Sequence, residues 1–212
     1  LHATKMISSK WFSRLPKKRT TNIVISFLVS FVLLTCAIFS DSSFTWLSLE
    51  RAKVDGGELW RIFSSNFVHF GWPHTLMNLA AFLIAAFILI DSISPARFIG
   101  LITVCCVSVG LGIYYLNPEY AVYAGLSGSI HGFLIAGLML NKRHVYWING
   151  IFIATILGKI FYEHQPDYRS TDLQDLLPVP VAYDAHLYGA IAGLVFGVTA
   201  LLMDRFFRPP DT

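Results

Sequence analysis

The chain has 212 residues, 55% of them hydrophobic and only 14% charged, with a formal net charge of +3. Soluble domains carry about a quarter charged residues, so this composition excludes an ordinary soluble globular domain and points to one polytopic membrane domain. The basic residues cluster between uncharged apolar runs, without aromatic-basic interleaving, zinc-ribbon spacing or a phosphate loop, so no nucleic-acid partner, metal site or cofactor site is expected.

Residues 1–21 hold Lys5, Lys10, Arg14, Lys17, Lys18 and Arg19 around Trp11 and Phe12. This pattern predicts a basic cytoplasmic arm against anionic lipid. The first five residues of this arm precede Met6, a plausible initiator. The apolar run 23–39 is longer than a signal-peptide core and no small-x-small site closes it, so it reads as a retained transmembrane helix. Residues 40–73 form a long mixed loop, of the length that carries a job or a fold of its own. Five further spans are expected over 74–90, 98–116, 125–140, 145–162 and 183–203. Residues 163–182, with Pro166, Pro178 and Pro180, read as a loop, and 205–212 as a short cytoplasmic tail. Cys36, Cys105 and Cys106 lie in apolar runs, where a thiol behaves as a small hydrophobe, and imply no disulfide framework. Lys159, near the end of the fifth span, reads as a snorkelling lysine.

Six spans place both termini on one side. The arm, Arg97, Lys142, Arg143, Arg205 and Arg208 fall on that side, against Arg51, Lys53, Arg61 and Arg169 on the other. The excess marks the first side as cytoplasmic. The expected fold is an all-α membrane protein, a bundle of six transmembrane helices over residues 22–204.

This topology gathers polar residues at one depth. Ser127 opens the fourth span near its outer end, His186 lies about one turn into the sixth, and His74 and Asn78 open the second. Residues 127–140 reach only about 21 Å as a helix, against roughly 30 Å of hydrocarbon. Residues 120–126 are therefore expected to dip in as a loop, which the bilayer tolerates only where protein buries it or it lines water.

Polar groups at this depth are costly and invite a functional reading. A serine hydroxyl becomes a nucleophile when a neighbouring imidazole takes its proton, so Ser127 and His186 form a candidate dyad for acyl transfer. No acidic residue stands out as a third member; Asp184 is two positions from His186 and points elsewhere on a helix. The N–H of Ser127 at a helix start is a candidate oxyanion donor. His74 and Asn78, four apart on one face, are candidates to assist it, or alternatively an interhelical polar clamp. Gly189, Gly193 and Gly197 make a smooth groove for close helix packing, with Gly128 and Gly132 as its expected partners. Packing alone is a second reading of the whole small-residue stretch 125–132.

Taken in order, Glu58-Leu59-Trp60-Arg61, His69, His74-x-x-x-Asn78, Gly125-Leu126-Ser127-Gly128 and Ala185-His186-x-x-Gly189-x-x-x-Gly193 resemble the rhomboid intramembrane serine proteases. The resemblance covers about residues 22–204. It implies Ser127 as nucleophile, His186 as base, and His74, Asn78, Gly125 and Gly128 around the oxyanion. It also implies that Glu58, Arg61 and His69 hold the first loop and that the loop before the last span caps the site.

Rhomboid proteases commonly carry a Tyr four residues after the nucleophile, stacked on the histidine; here that residue is His131. Gly-Leu-Ser-Gly-x-x-His-Gly resembles the rhombosortase branch, implying a bacterial inner-membrane enzyme, open to the periplasmic side, that removes C-terminal Gly-Gly membrane tails from exported proteins. An ionisable His131 carries the expectation that activity falls when this ring is protonated. The alternatives are a general rhomboid protease with other transmembrane substrates, a non-catalytic client-binding relative, and a small transporter using the histidines. No internal repeat supports the last.

Overall fold

The structure is a computed structural model and describes residues 16–141, 145–168 and 177–207. Most of the basic arm, together with Lys142, Arg143, Arg169 and Arg208, lies outside the described residues.

Helix α1 (Lys17–Ile38) begins directly after Pro16, six residues before the apolar run itself. Proline cannot donate in the ladder but is compatible with a helix start, and the Lys-Arg-Thr stretch that follows contains nothing to break a helix. Residues 40–73 are a small structured unit: α2 (Ser40–Leu47), β1 (Leu49–Glu50), α3 (Arg51–Asp55), α4 (Arg61–Ser64) and a 3-10 turn over Ser65–Phe67. Helices α5 (Trp72–Leu89) and α6 (Pro95–Leu116) follow, each with proline in its first turn, where its missing N–H costs nothing. Strand β2 (Val122–Tyr123) pairs antiparallel with β1, Leu49 opposite Tyr123. Then come α7 (Ser127–Leu140), α8 (Tyr146–Glu163) and α9 (Tyr183–Phe207).

Four of these helices, α1, α5, α6 and α9, are long and apolar enough to cross a membrane. Helix α7 is apolar but has only 14 residues, and α8 interrupts its apolar run with Asn149, Lys159 and Glu163. Phe27, Phe31, Ile84, Phe87, Phe161, Val195 and Phe206 stand more than half exposed on the outside of the helices, an apolar exterior suited to lipid.

Helix α7 is the centre, contacted by α5, α6, α8 and α9. Ten of its 14 residues are buried, including Ile130, Phe133, Ile135 and Ala136, and none is exposed. Its tightest neighbour is α9, and glycine is the reason. A Cβ on Gly128 would stand 2.5 Å from the Ala185 carbonyl oxygen. One on Gly189 would strike the Gly128 carbonyl, one on Gly193 the Gly132 backbone, and one on Gly197 would reach within 2.7 Å of Met139 Sδ. Close backbone approach is how helices associate where lipid removes the usual hydrophobic drive.

The unit before α5 is held by Arg61, which is only 1% exposed. Its guanidinium donates to Glu58 Oε2 at 2.6 Å, the Ser48 carbonyl at 2.7 Å and the Thr45 carbonyl at 2.9 Å. Arg51 caps the end of α6, donating to the carbonyls of Ile113, Tyr114 and Asn117. Asn66 ties the unit to the bundle. Its amide nitrogen donates to the Cys106 carbonyl, and its oxygen accepts from Ser129 Oγ at 2.7 Å. Cys36, Cys105 and Cys106 are free thiols.

Candidate active site

The loop from Asn117 to Leu126 delivers the chain to the start of α7, and residues 123–126 are buried. Gly125 has φ = +136°, a conformation that L side chains rarely adopt, and its N–H donates to the Ser65 carbonyl at 3.0 Å. The Tyr123 hydroxyl donates to the Gly125 carbonyl at 2.9 Å, and the Leu126 N–H donates to His69 Nε2 at 3.3 Å. His69 is buried, and desolvation, then the neighbouring His74, pushes it down to about 3. It is therefore a neutral acceptor that positions the turn before Ser127.

Ser127 is the first residue of α7, so its N–H and those just after it lack intrahelical acceptors and sit at the positive end of the helix dipole. Its hydroxyl lies 3.1 Å from His186 Nε2 on the first turns of α9. The Gly128 and Gly189 contact sets that distance by drawing the two helix starts together.

His131, one turn along α7, stacks on His186 with ring centroids 4.2 Å apart and planes inclined 25°. Its Nδ1 lies 2.8 Å from the Ser127 carbonyl, which can only accept, so Nδ1 carries the proton. Nε2 of the same ring faces Lys159 Nζ at 3.4 Å. A proton on Nε2 would have to displace that ammonium.

His74 and Asn78, on α5, line the same cavity of about 280 Å³ as Ser127, His131, Lys159 and His186. Asn78 Nδ2 donates to the His74 carbonyl at 3.0 Å, which leaves its second N–H unused by that bond. His74 Nδ1 and Asn78 Oδ1 are buried and lack a partner among the described residues. His74 packs edge-on to His69, and a Cβ on Gly125 would stand 2.9 Å from His74 Cε1. A second cavity of about 310 Å³ shares His74 and Ser127 and continues past Tyr120, Val122 and Pro180. Residues 169–176, part of the expected cap, lie outside the described residues.

Glu163, which sequence reasoning passed over, is the last residue of α8. It is 5% exposed, with Oε2 2.8 Å from His186 Nδ1 and Oε1 in an ion pair with Lys159. One signal for it exists in the sequence: an acidic residue four after Lys159 at the end of a span, at the depth of His186. Asp184 faces away, toward Tyr120 and His164. Among the described residues no three His, Cys, Asp or Glu side chains are grouped to hold a metal ion.

A hydroxyl against a buried imidazole, at a helix start lined with free N–H groups and opening to a cavity, is an arrangement able to attack a carbonyl and hold the oxyanion that results. The family model described as Rhomboid domain matches residues 56–203. No curated protein matches the chain. With that match covering well over half of the sequence, the chain belongs to the rhomboid family, whose members are generally intramembrane serine proteases.

Proposed function

We propose that this chain is a serine endopeptidase that cleaves single-pass membrane segments near their outer end, with Ser127 as nucleophile and His186 as general base. The observation that carries the reading is the 3.1 Å approach of Ser127 Oγ to His186 Nε2 beside a cavity. Ser127 Oγ attacks the scissile carbonyl carbon while its proton passes to His186 Nε2. The oxyanion forms against the N–H groups opening α7, with Asn78 and His74 beside it. Collapse breaks the C–N bond, the leaving amine takes the proton from His186, and water activated by the same imidazole hydrolyses the acyl-enzyme.

A helical peptide bond is shielded by its own turns, so the substrate must unwind locally. Glycine lowers that cost. A C-terminal Gly-Gly membrane tail on an exported protein suits this requirement, and His131 in the stacking position supports the rhombosortase branch. In this reading α1, α5, α6, α7, α8 and α9 all cross a bacterial inner membrane, both termini are cytoplasmic, and the site opens to the periplasm. The excess of Lys and Arg on the terminal side supports that orientation.

The test is covalent labelling of the purified protein in detergent with a serine-directed fluorophosphonate, beside Ser127→Ala and His186→Ala. Labelling of the parent that both variants lose is the expected result, followed by cleavage of a fusion bearing a Gly-Gly tail. A folded parent that resists a probe able to label another intramembrane serine protease would overturn the assignment.

A further inference from the structure

A carboxylate placed among the ends of apolar helices is costly unless its oxygens are satisfied. Glu163 is satisfied on both: Oε2 by His186 Nδ1 at 2.8 Å and Oε1 by Lys159 Nζ. The donors and acceptors around this pair admit one consistent assignment. An ionised carboxylate only accepts, so His186 Nδ1 carries the proton and Nε2 presents its lone pair to the Ser127 hydroxyl. The Lys159 ammonium only donates, so it gives one hydrogen bond to Glu163 and one to His131 Nε2, at 3.4 Å. His131 Nδ1–H then donates to the Ser127 carbonyl, at 2.8 Å. The bonds close into a ring through Ser127, His186, Glu163, Lys159 and His131, drawn from α7, α8 and α9.

We infer that Glu163 is a positioning residue that holds His186 in the Nδ1–H tautomer, with Lys159 holding the carboxylate in turn, so that a Ser127–His186–Glu163 relay replaces a two-residue dyad. The inference rests on the proposed roles of Ser127 and His186. Glu163 takes no proton. When Ser127 gives its proton to Nε2, the imidazole becomes a cation flanked by the carboxylate, which stabilises it and keeps Nε2 aimed at the leaving amine. Lys159 balances the carboxylate charge in the resting state. Its second bond fixes His131 in the plane stacked on His186, 4.2 Å away.

The test compares the parent with Glu163→Gln, Glu163→Asp and Ser127→Ala in detergent, following phosphonylation by the fluorophosphonate, with loss of fluoride, over probe concentration so that the maximal rate separates from the half-saturating concentration. Loss of a comparable carboxylate costs about 10⁴-fold in kcat in a soluble serine protease. The expected result here is a fall of about 100-fold or more in maximal rate for E163Q, with half-saturation within about threefold and melting temperature within a few degrees of the parent. E163D, which keeps the charge, should recover to within about tenfold. Equal losses in E163Q and E163D, tracking a loss of melting temperature, would reduce Glu163 to a strut between α8 and α9 and overturn the inference.

Nitrogen NMR of the parent gives a reading that depends on no variant: His186 Nδ1 protonated and Nε2 bare is expected, and the opposite tautomer overturns the relay. The two proposals fail differently. A Ser127→Ala protein that labels like the parent removes the proposed function and the relay together. Labelling lost in Ser127→Ala but kept at the parent's rate in E163Q removes the relay alone.

Discussion

Gly189 of α9 lies against the Gly128 carbonyl of α7 with no room for a side chain between them. Since His186 and Ser127 each lie within a turn of this contact, the spacing of the two helices and the 3.1 Å Ser127–His186 distance are one geometric fact. Gly189→Ala forces a methyl into the Gly128 backbone, and overpacking of this kind costs about 1–3 kcal/mol or more. We expect a lower melting temperature in detergent and loss of fluorophosphonate labelling together. Gly158→Ala, on α8 with open space at its Cβ, should change neither. Thermal unfolding and labelling of both variants check this, and an active Gly189→Ala would contradict it.

Arg61 is the centre of the unit between α1 and α5. Arg61→Ala leaves the Ser48 carbonyl and the Glu58 carboxylate without their Arg61 donor and the Thr45 carbonyl with only the longer bond from Lys53, at 3.3 Å. A hydrogen bond to a charged group contributes about 1.5–3 kcal/mol, so destabilisation of at least about 2 kcal/mol is expected. Arg61→Lys should recover only part of it, because an ammonium cannot fork to three acceptors in the same plane. Limited proteolysis between residues 47 and 61 is the readout, with both variants cut faster than the parent.

Asn66 is fully buried and joins the first unit to α6 and α7. Asn66→Ala takes the Asn66 Oδ1 acceptor from the buried Ser129 hydroxyl, at about 1–3 kcal/mol for a buried polar bond left unmade, and removes the second donor of the Cys106 carbonyl, which lies inside α6 and keeps its helical N–H partner. Ser129→Ala removes one hydroxyl and leaves only Asn66 Oδ1 without a donor, so it should cost less. The double variant is expected to be less destabilised than the sum of the two, which a thermal double-mutant cycle measures.

His69 gives a pH dependence with a definite sign. Its ordinary value of 6.5 falls to about 3 in the folded protein, by burial first and by His74 second. The unfolded chain therefore binds this proton more readily than the folded one. The contribution of His69 to stability is fully present above pH 6.5 and is lost as pH falls from there toward 3, at up to about 1.4 kcal/mol per pH unit. His69→Gln, which can still accept from the Leu126 N–H, should unfold with a shallower acid dependence. Parallel slopes for the two proteins between pH 6.5 and 4 would contradict the assignment.

Much of this protein is legible along the chain. Membrane character follows from composition, because uncharged runs of bilayer length have no stable place in water. The family follows from ordered short motifs whose spacing survives without any knowledge of packing. Ser127 and His186 can be singled out as polar groups in apolar runs, and the glycines four apart define a face because helical periodicity is local. The 40–73 segment is legible as long enough to carry a job or a fold of its own, but its elements are not legible. Its order comes from Arg61 and Arg51 reaching carbonyls at a distance, and no local period announces such bonds.

What only the tertiary structure decided is which helices meet and how each is turned about its axis. Glu163 and His186 are separated by 23 positions and a loop. Period 3.6 fixes which residues share a face of α8 or of α9, but not which face of one meets the other. That rotation is set by glycine contacts between α7 and α9 and by bulky side chains on every neighbour at once. The identity of the third residue beside the imidazole, and of the lysine that holds it, is therefore a property of the packed bundle.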